Sequence, residues 1–143
     1  MNHRGATLIE MLIVMGLTVI LLAVGVGSIR DAAMRQAGQT AVAEVAVELR
    51  AARLLAITRR EPMRVRFDGE AGRIRVEPAG SPGSPLREYS YHVRGLGLAE
   101  SPASGAVTFY PSGRAASPAT ITLSNARGER FRITVSLVGR VSI

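Results

Sequence analysis

Gly5-Ala6-Thr7-Leu8-Ile9-Glu10 is followed by an apolar run from Met11 to Gly27 that only Thr18 relieves. Before it stands a short basic head, Met1-Asn2-His3-Arg4. Arg30-Asp31 mark the return to water after Ile29. At about 1.5 Å per residue, Ala6 to Ile29 is long enough to cross a hydrocarbon core of about 30 Å. Glu10 is the one carboxylate in this stretch. A charge there costs about 2.5–3.5 kcal/mol on insertion scales, so its presence points to a function. A signal-peptidase site at Ala23-Val24-Gly25 would account for the basic head and the apolar core, and a plain single-pass anchor would account for the hydropathy. Neither accounts for Glu10 behind Gly5.

The rest of the chain divides by period. From Arg30 to Arg60, Met34, Ala37, Ala41, Val45, Leu49, Ala52 and Leu55 recur at steps of three and four. This predicts a helix with one Ala-rich apolar stripe, which a partner surface can approach closely. Glu61-Pro62 ends it, because the residue before proline disfavours the α region. Beyond Pro62 the period becomes two. Met63–Phe67 and Arg73–Val76 alternate strictly around the turn Asp68–Gly72. Further strands are expected over Arg87–Val93, Val107–Tyr110, Thr120–Ser124 and Phe131–Leu137, with a short pairing near Val141–Ile143. The loop Pro78–Pro85 and the turns Pro111–Gly113 and Asn125–Gly128 separate them. A long helix followed by an antiparallel sheet is an α+β arrangement.

No catalytic constellation is present in this pattern. The two histidines, His3 and His92, have no matching partners, and no glycine-rich phosphate loop occurs. The absence of Cys excludes disulfides and thiolate metal sites. Neither a cofactor nor a metal is expected. All 18 cationic side chains are arginine, and the net charge is +7. The alternation gathers Arg64, Arg66, Arg73 and Arg75 on one strand face. With Arg127, Arg130, Arg132 and Arg140 they would form a phosphate-binding surface, an interface for acidic subunits, or a solvated face.

The basic head, Gly5 and Glu10 at the fifth position after it resemble the leader of type IV prepilins and type II secretion pseudopilins. The resemblance narrows to the H-type minor pseudopilins, the GspH/FimT family. It does so on Leu49-Arg50-Ala51-Ala52-Arg53-Leu54-Leu55 through Arg60, on Phe109-Tyr110-Pro111-Ser112-Gly113-Arg114, and on Val138-Gly139-Arg140-Val141. It implies a pilin-like fold with a leader over 1–5, a membrane-spanning, filament-core helix over 6–29 and a periplasmic domain over 30–143 (helix about 30–60, sheet about 63–143). It implies cutting by a prepilin peptidase between Gly5 and Ala6, with methylation of the new N-terminus at Ala6, and assembly through Glu10. The partners implied are other pseudopilins and minor pilins, the peptidase and the inner membrane. An Ala6 ammonium and the Glu10 carboxylate of a neighbour would neutralise each other across a subunit contact. The function implied is that of a type II secretion pseudopilin rather than an enzyme, with a type IV minor pilin as the alternative. DNA-uptake relatives carry Gly-Arg-x-Arg near the end, and this chain has Gly139-Arg140-Val141-Ser142. Arg140, Arg132 and Arg130 are the anion- or DNA-binding candidates. With Ser142 in the place of the second arginine, DNA is not the favoured partner.

Overall fold

The computed structural model describes residues 7–143, and over residues 24–30 the backbone alone. A single helix, α1, runs Leu8–Arg59. Eight strands follow: β1 (Met63–Asp68), β2 (Arg73–Pro78), β3 (Arg87–Ser90), β4 (Leu96–Glu100), β5 (Ala106–Phe109), β6 (Ala119–Asn125), β7 (Arg130–Val135) and β8 (Val141–Ser142). The chain divides into two compact units, Met1–Arg35 and Gln36–Ile143.

In the second unit the strands form two antiparallel four-stranded sheets rather than one. Their orders are β3-β2-β1-β5 and β4-β6-β7-β8. One apolar cluster joins the helix to both. Ala41, Val45, Leu49, Ala52 and Ala56 come from the helix, Met63, Val65, Ile74 and Phe109 from the first sheet, and Ile121, Leu123, Ile133 and Val135 from the second. All of these are almost wholly removed from water. The alanines have no side-chain rotamer entropy to lose and let the strands come close. Gly38 carries this furthest. A Cβ built there would lie 2.3 Å from Cζ of Phe131, so the ring lies against bare backbone.

Polar contacts fix the sheet edges to the helix. Glu48 accepts two hydrogen bonds of 2.7 Å from Arg87, a bidentate pair that raises the guanidinium pKa further. One turn earlier, Glu44 accepts from the Tyr89 hydroxyl and, at 3.0 Å, from Arg94. Tyr91, fully buried, donates to the Asp68 carbonyl at 3.0 Å.

A second set of contacts ties the two sheets together. The Ala115 amide donates to the Leu137 carbonyl at 3.0 Å, and the Ala116 amide donates to the Thr108 carbonyl at 2.8 Å. Arg53 Nε donates to the Gly113 carbonyl at 2.8 Å, and Arg50 Nη2 donates to the Val141 carbonyl at 3.1 Å. Gly139, at φ 76°, closes over this junction. A Cβ there would lie 2.0 Å from the Gly113 carbonyl oxygen and 2.7 Å from Arg53 Nε.

Two expected strands differ in extent, and one strand was not expected. The third strand stops at Ser90, because Tyr91 turns inward and His92–Arg94 form a 3-10 turn closed by Gly95 in the left-handed region. His92 therefore lies in a turn and not in a strand. β4 was not expected: Leu96-Gly97-Leu98-Ala99 has little β preference, and its pairing with β6 supplies what the residues lack. Strand β7 ends at Val135, two residues early, because the Ser136–Arg140 turn begins there.

Two outcomes follow for stability. Arg53→Ala leaves the buried Gly113 carbonyl without its donor, which costs about 1–3 kcal/mol. Gly139→Ala combines about 1–2 kcal/mol of left-handed strain with a clash against backbone, so it destabilises more. Denaturant midpoints of the full chain, followed by circular dichroism, check the order, and a Gly139→Ala variant as stable as wild type contradicts it. The second outcome is alkaline. Burial pushes the Tyr91 hydroxyl up to about 12, with a contribution from the Asp68 charge. Burial and the hydrogen bond to Glu44 push Tyr89 up to about 12. Unfolded tyrosine titrates at about 10, so between pH 10 and 12 the unfolded chain binds fewer protons than the native one. Stability is therefore full below pH 10 and falls as pH rises toward 12, and Tyr91→Phe makes that fall shallower in pH-dependent melts.

Candidate functional site: the helix start and the arginine clusters

Glu10 occupies the third position of α1. Thr7 stands just before the helix, and its Oγ1 accepts the Glu10 amide at 3.3 Å, beside the 3.0 Å bond to its carbonyl. Thr7-Leu8-Ile9-Glu10 thus has the Thr-x-x-Glu spacing of a capping box, and the carboxylate lies at the positive end of the helix dipole. This is a local reason for a carboxylate at that position, which sequence reading had placed only in a subunit contact. Leu8, Ile9, Met11, Leu12, Ile13 and their successors to Leu22 are all exposed. Among the described residues no helix is long and apolar enough to cross a membrane. Gly5 and Ala6 lie outside the described residues.

The arginines do not form one face. Arg64, Arg66, Arg73 and Arg75 share the outer face of the first sheet, with Arg66 opposite Arg75 in register. Glu88 neutralises part of it, accepting from Arg73 at 2.7 Å and pairing with Arg75 at 3.4 Å. The hydrogen bond from Arg73 holds its carboxyl below the usual range. Arg130 and Arg132 belong to the second sheet, outward on β7 opposite Ser124 and Thr122. Arg140 is in the turn between β7 and β8 and joins a different group. Together with Arg50, Arg53, Val138, Gly139 and Val141 it lines a cleft of about 400 Å³. Arg140 thus shares a cleft with two helix arginines that the candidate set of Arg140, Arg132 and Arg130 did not include. In the sequence Arg50 and Arg53 stand only within the Leu49–Arg60 stretch that carries the family resemblance, with no site role of their own. Their three-residue spacing puts both on one side of the helix, which is the signal that would have linked them.

Glu77 also escaped the sequence reading. It is almost fully buried, opposite Arg64, and its Oε2 accepts the Gly83 amide at 2.9 Å. Among the described residues its Oε1 has no partner. The carboxylate pins the Gly80–Pro85 loop to the end of β2. No group of metal-ligating side chains occurs among the described residues.

Comparison with known proteins supplies the family. The profile described as "Type II transport protein GspH" matches residues 32–139. No curated protein matches the chain. Among solved structures, the type IV minor pilin FimU of Pseudomonas aeruginosa superposes with a TM-score of 0.60 at 20% identity, covering 73% of this chain and 86% of FimU. The minor pseudopilin EpsH from the type 2 secretion system of Vibrio cholerae superposes with a TM-score of 0.58 at 18% identity, covering 73% of this chain and 93% of EpsH. At these identities the superpositions establish the pilin-like fold, a helix packed on antiparallel sheets. The family match covers most of the chain, including Arg50, Arg53 and Gly139 at the junction, and on that basis the protein belongs to the GspH family of minor pseudopilins and type IV minor pilins.

Proposed function

We propose that the chain is a minor pseudopilin of a type II secretion system. In this reading residues 1–5 are a leader, cut between Gly5 and Ala6, and residues 6–29 anchor the chain in the inner membrane and then pack into the pseudopilus. Residues 30–143 are periplasmic. The work is assembly and transmission of force, and no step of it is catalytic. The observation that carries the proposal is the exposed apolar helix surface from Leu8 to Leu22 with Glu10 in its first turn. A surface of that size without a cover seeks lipid or other helices. In either setting an unpaired carboxylate is costly, and an ammonium four residues earlier on a neighbouring chain relieves it. The family description supports the secretion system; the FimU likeness favours, as a second reading, the same assembly role in a type IV pilus.

Mass spectrometry of membrane-extracted protein is expected to find the N-terminus at Ala6. A terminus beyond Ala23 refutes the leader assignment. Gly5→Leu leaves the precursor uncut, because the peptidase requires a small residue before the bond. Glu10→Ala stays in the membrane but co-purifies with partner pilins at a level lower by about 100-fold or more. That is the scale of an ammonium left buried without its partner, about 3–5 kcal/mol. Undiminished co-purification refutes the charge pairing.

A further inference from the structure

We infer that the cleft formed by Arg50, Arg53 and Arg140 is a docking site for an acidic peptide segment, a carboxylate side chain flanked by apolar residues, presented by a partner protein. The inference concerns the second unit alone and requires neither the processing nor the anchorage proposed above.

The cleft is built, not incidental. Arg53 is half-buried and fixed by its Nε bond to the Gly113 carbonyl, with Nη2 approaching the Val138 carbonyl at 3.5 Å. Arg50 is fixed by its bond to the Val141 carbonyl. Two guanidiniums are therefore held in place before any ligand arrives, so little side-chain entropy is lost on binding. Each has N–H donors left over, since a guanidinium carries five. The Arg140 backbone is pinned where its amide donates to Ser136 Oγ at 3.1 Å, while its side chain is exposed at the cleft mouth. Among the described residues no carboxylate lines the cleft. Three like charges with nothing between them repel, and an anion removes that repulsion.

One feature selects a peptide over a nucleic-acid backbone. A guanidinium fork takes a carboxylate or a phosphate in bidentate fashion, so the arginines set only the charge of the ligand. Part of the rim is apolar: Val138, which lines the cleft, is 61% exposed. A peptide with apolar neighbours beside its acid covers that rim, whereas a sugar-phosphate chain leaves it wet.

The test is a titration of the full chain in detergent micelles with the blocked pentapeptide Val-Asp-Leu-Glu-Val, read by NMR at the arginine Nε–Hε signals. Saturable shifts at Arg50 and Arg53 are expected. The amide counterpart, Val-Asn-Leu-Gln-Val, binds about tenfold or more weakly, the scale of one or two charge-assisted hydrogen bonds. Arg140→Gln weakens the acidic peptide by about tenfold while leaving the amide spectrum native, because its side chain holds no part of the fold. Arg130→Gln, on the outer face of β7, leaves the affinity within about twofold, as expected for a distant exposed charge. The proposal is overturned if no saturable shift occurs, if the amide peptide binds as well as the acidic one, or if Arg130→Gln weakens binding as much as Arg140→Gln. Displacement of the peptide by a short DNA duplex, at stoichiometric concentration and in an Arg140-dependent manner, overturns it in favour of a nucleic-acid site.

Discussion

Close approach of backbone to ring and strand to helix is the constraint on which this domain rests. The buried face of α1 is mostly alanine, and at Gly38 it has no side chain at all. A domain of this size has few large side chains to spend on a core, and the chain holds only three phenylalanines and no tryptophan. It gains burial by thinning the interface instead, so that Phe109, Phe131 and the β-branched residues of both sheets reach the same helix. The cost is sensitivity to volume. Interiors packed this closely respond to a single added methyl group.

Because the helix face is so smooth, register and orientation come from its polar margins. Glu44 and Glu48 hold the β3 edge on one side. Arg50 and Arg53 hold the turns at Gly113 and Val141 on the other. These are partly exposed contacts, each worth about 1 kcal/mol or less where both partners are charged. Their value lies in direction: they determine which strand end meets which helical turn. The same arginines that secure the fold also create the cleft, so structure and recognition share side chains there.

Much of this was legible from residue order. The period change at Pro62, the Asp68–Gly72 turn and the helix stripe read directly, since each is a local pattern and local patterns survive folding here. Met34 is the exception in the stripe: it is 46% exposed, while Ala46 and Ala56 take buried places. The division into two sheets was not legible, because strand partners far apart in sequence leave no periodic trace. β4 was invisible for a related reason, its strand state being imposed by β6. The arginine cleft was not legible either: alternation places a side chain on a face, but only the tertiary fold brings Arg140 beside Arg50 and Arg53. The role we propose for the Gly5–Glu10 pattern concerns processing and assembly, which are not read from the packing of the folded domain.

Glu88 has one further consequence. It pairs with both Arg73 and Arg75 on the outer face of the first sheet, and it is an exposed residue on a short strand with no part in the core. Exposed positions of this kind accept replacement at little cost to folding. One nucleotide-scale change there would turn a partly neutral surface into a contiguous cationic one while the fold stays as it is. The arginine-only composition makes that shift permanent, since guanidinium charge does not titrate away at any physiological pH. Surface substitution on this scaffold can therefore change the charge it presents while the fold stays as it is, with Glu88 as one of the shortest routes.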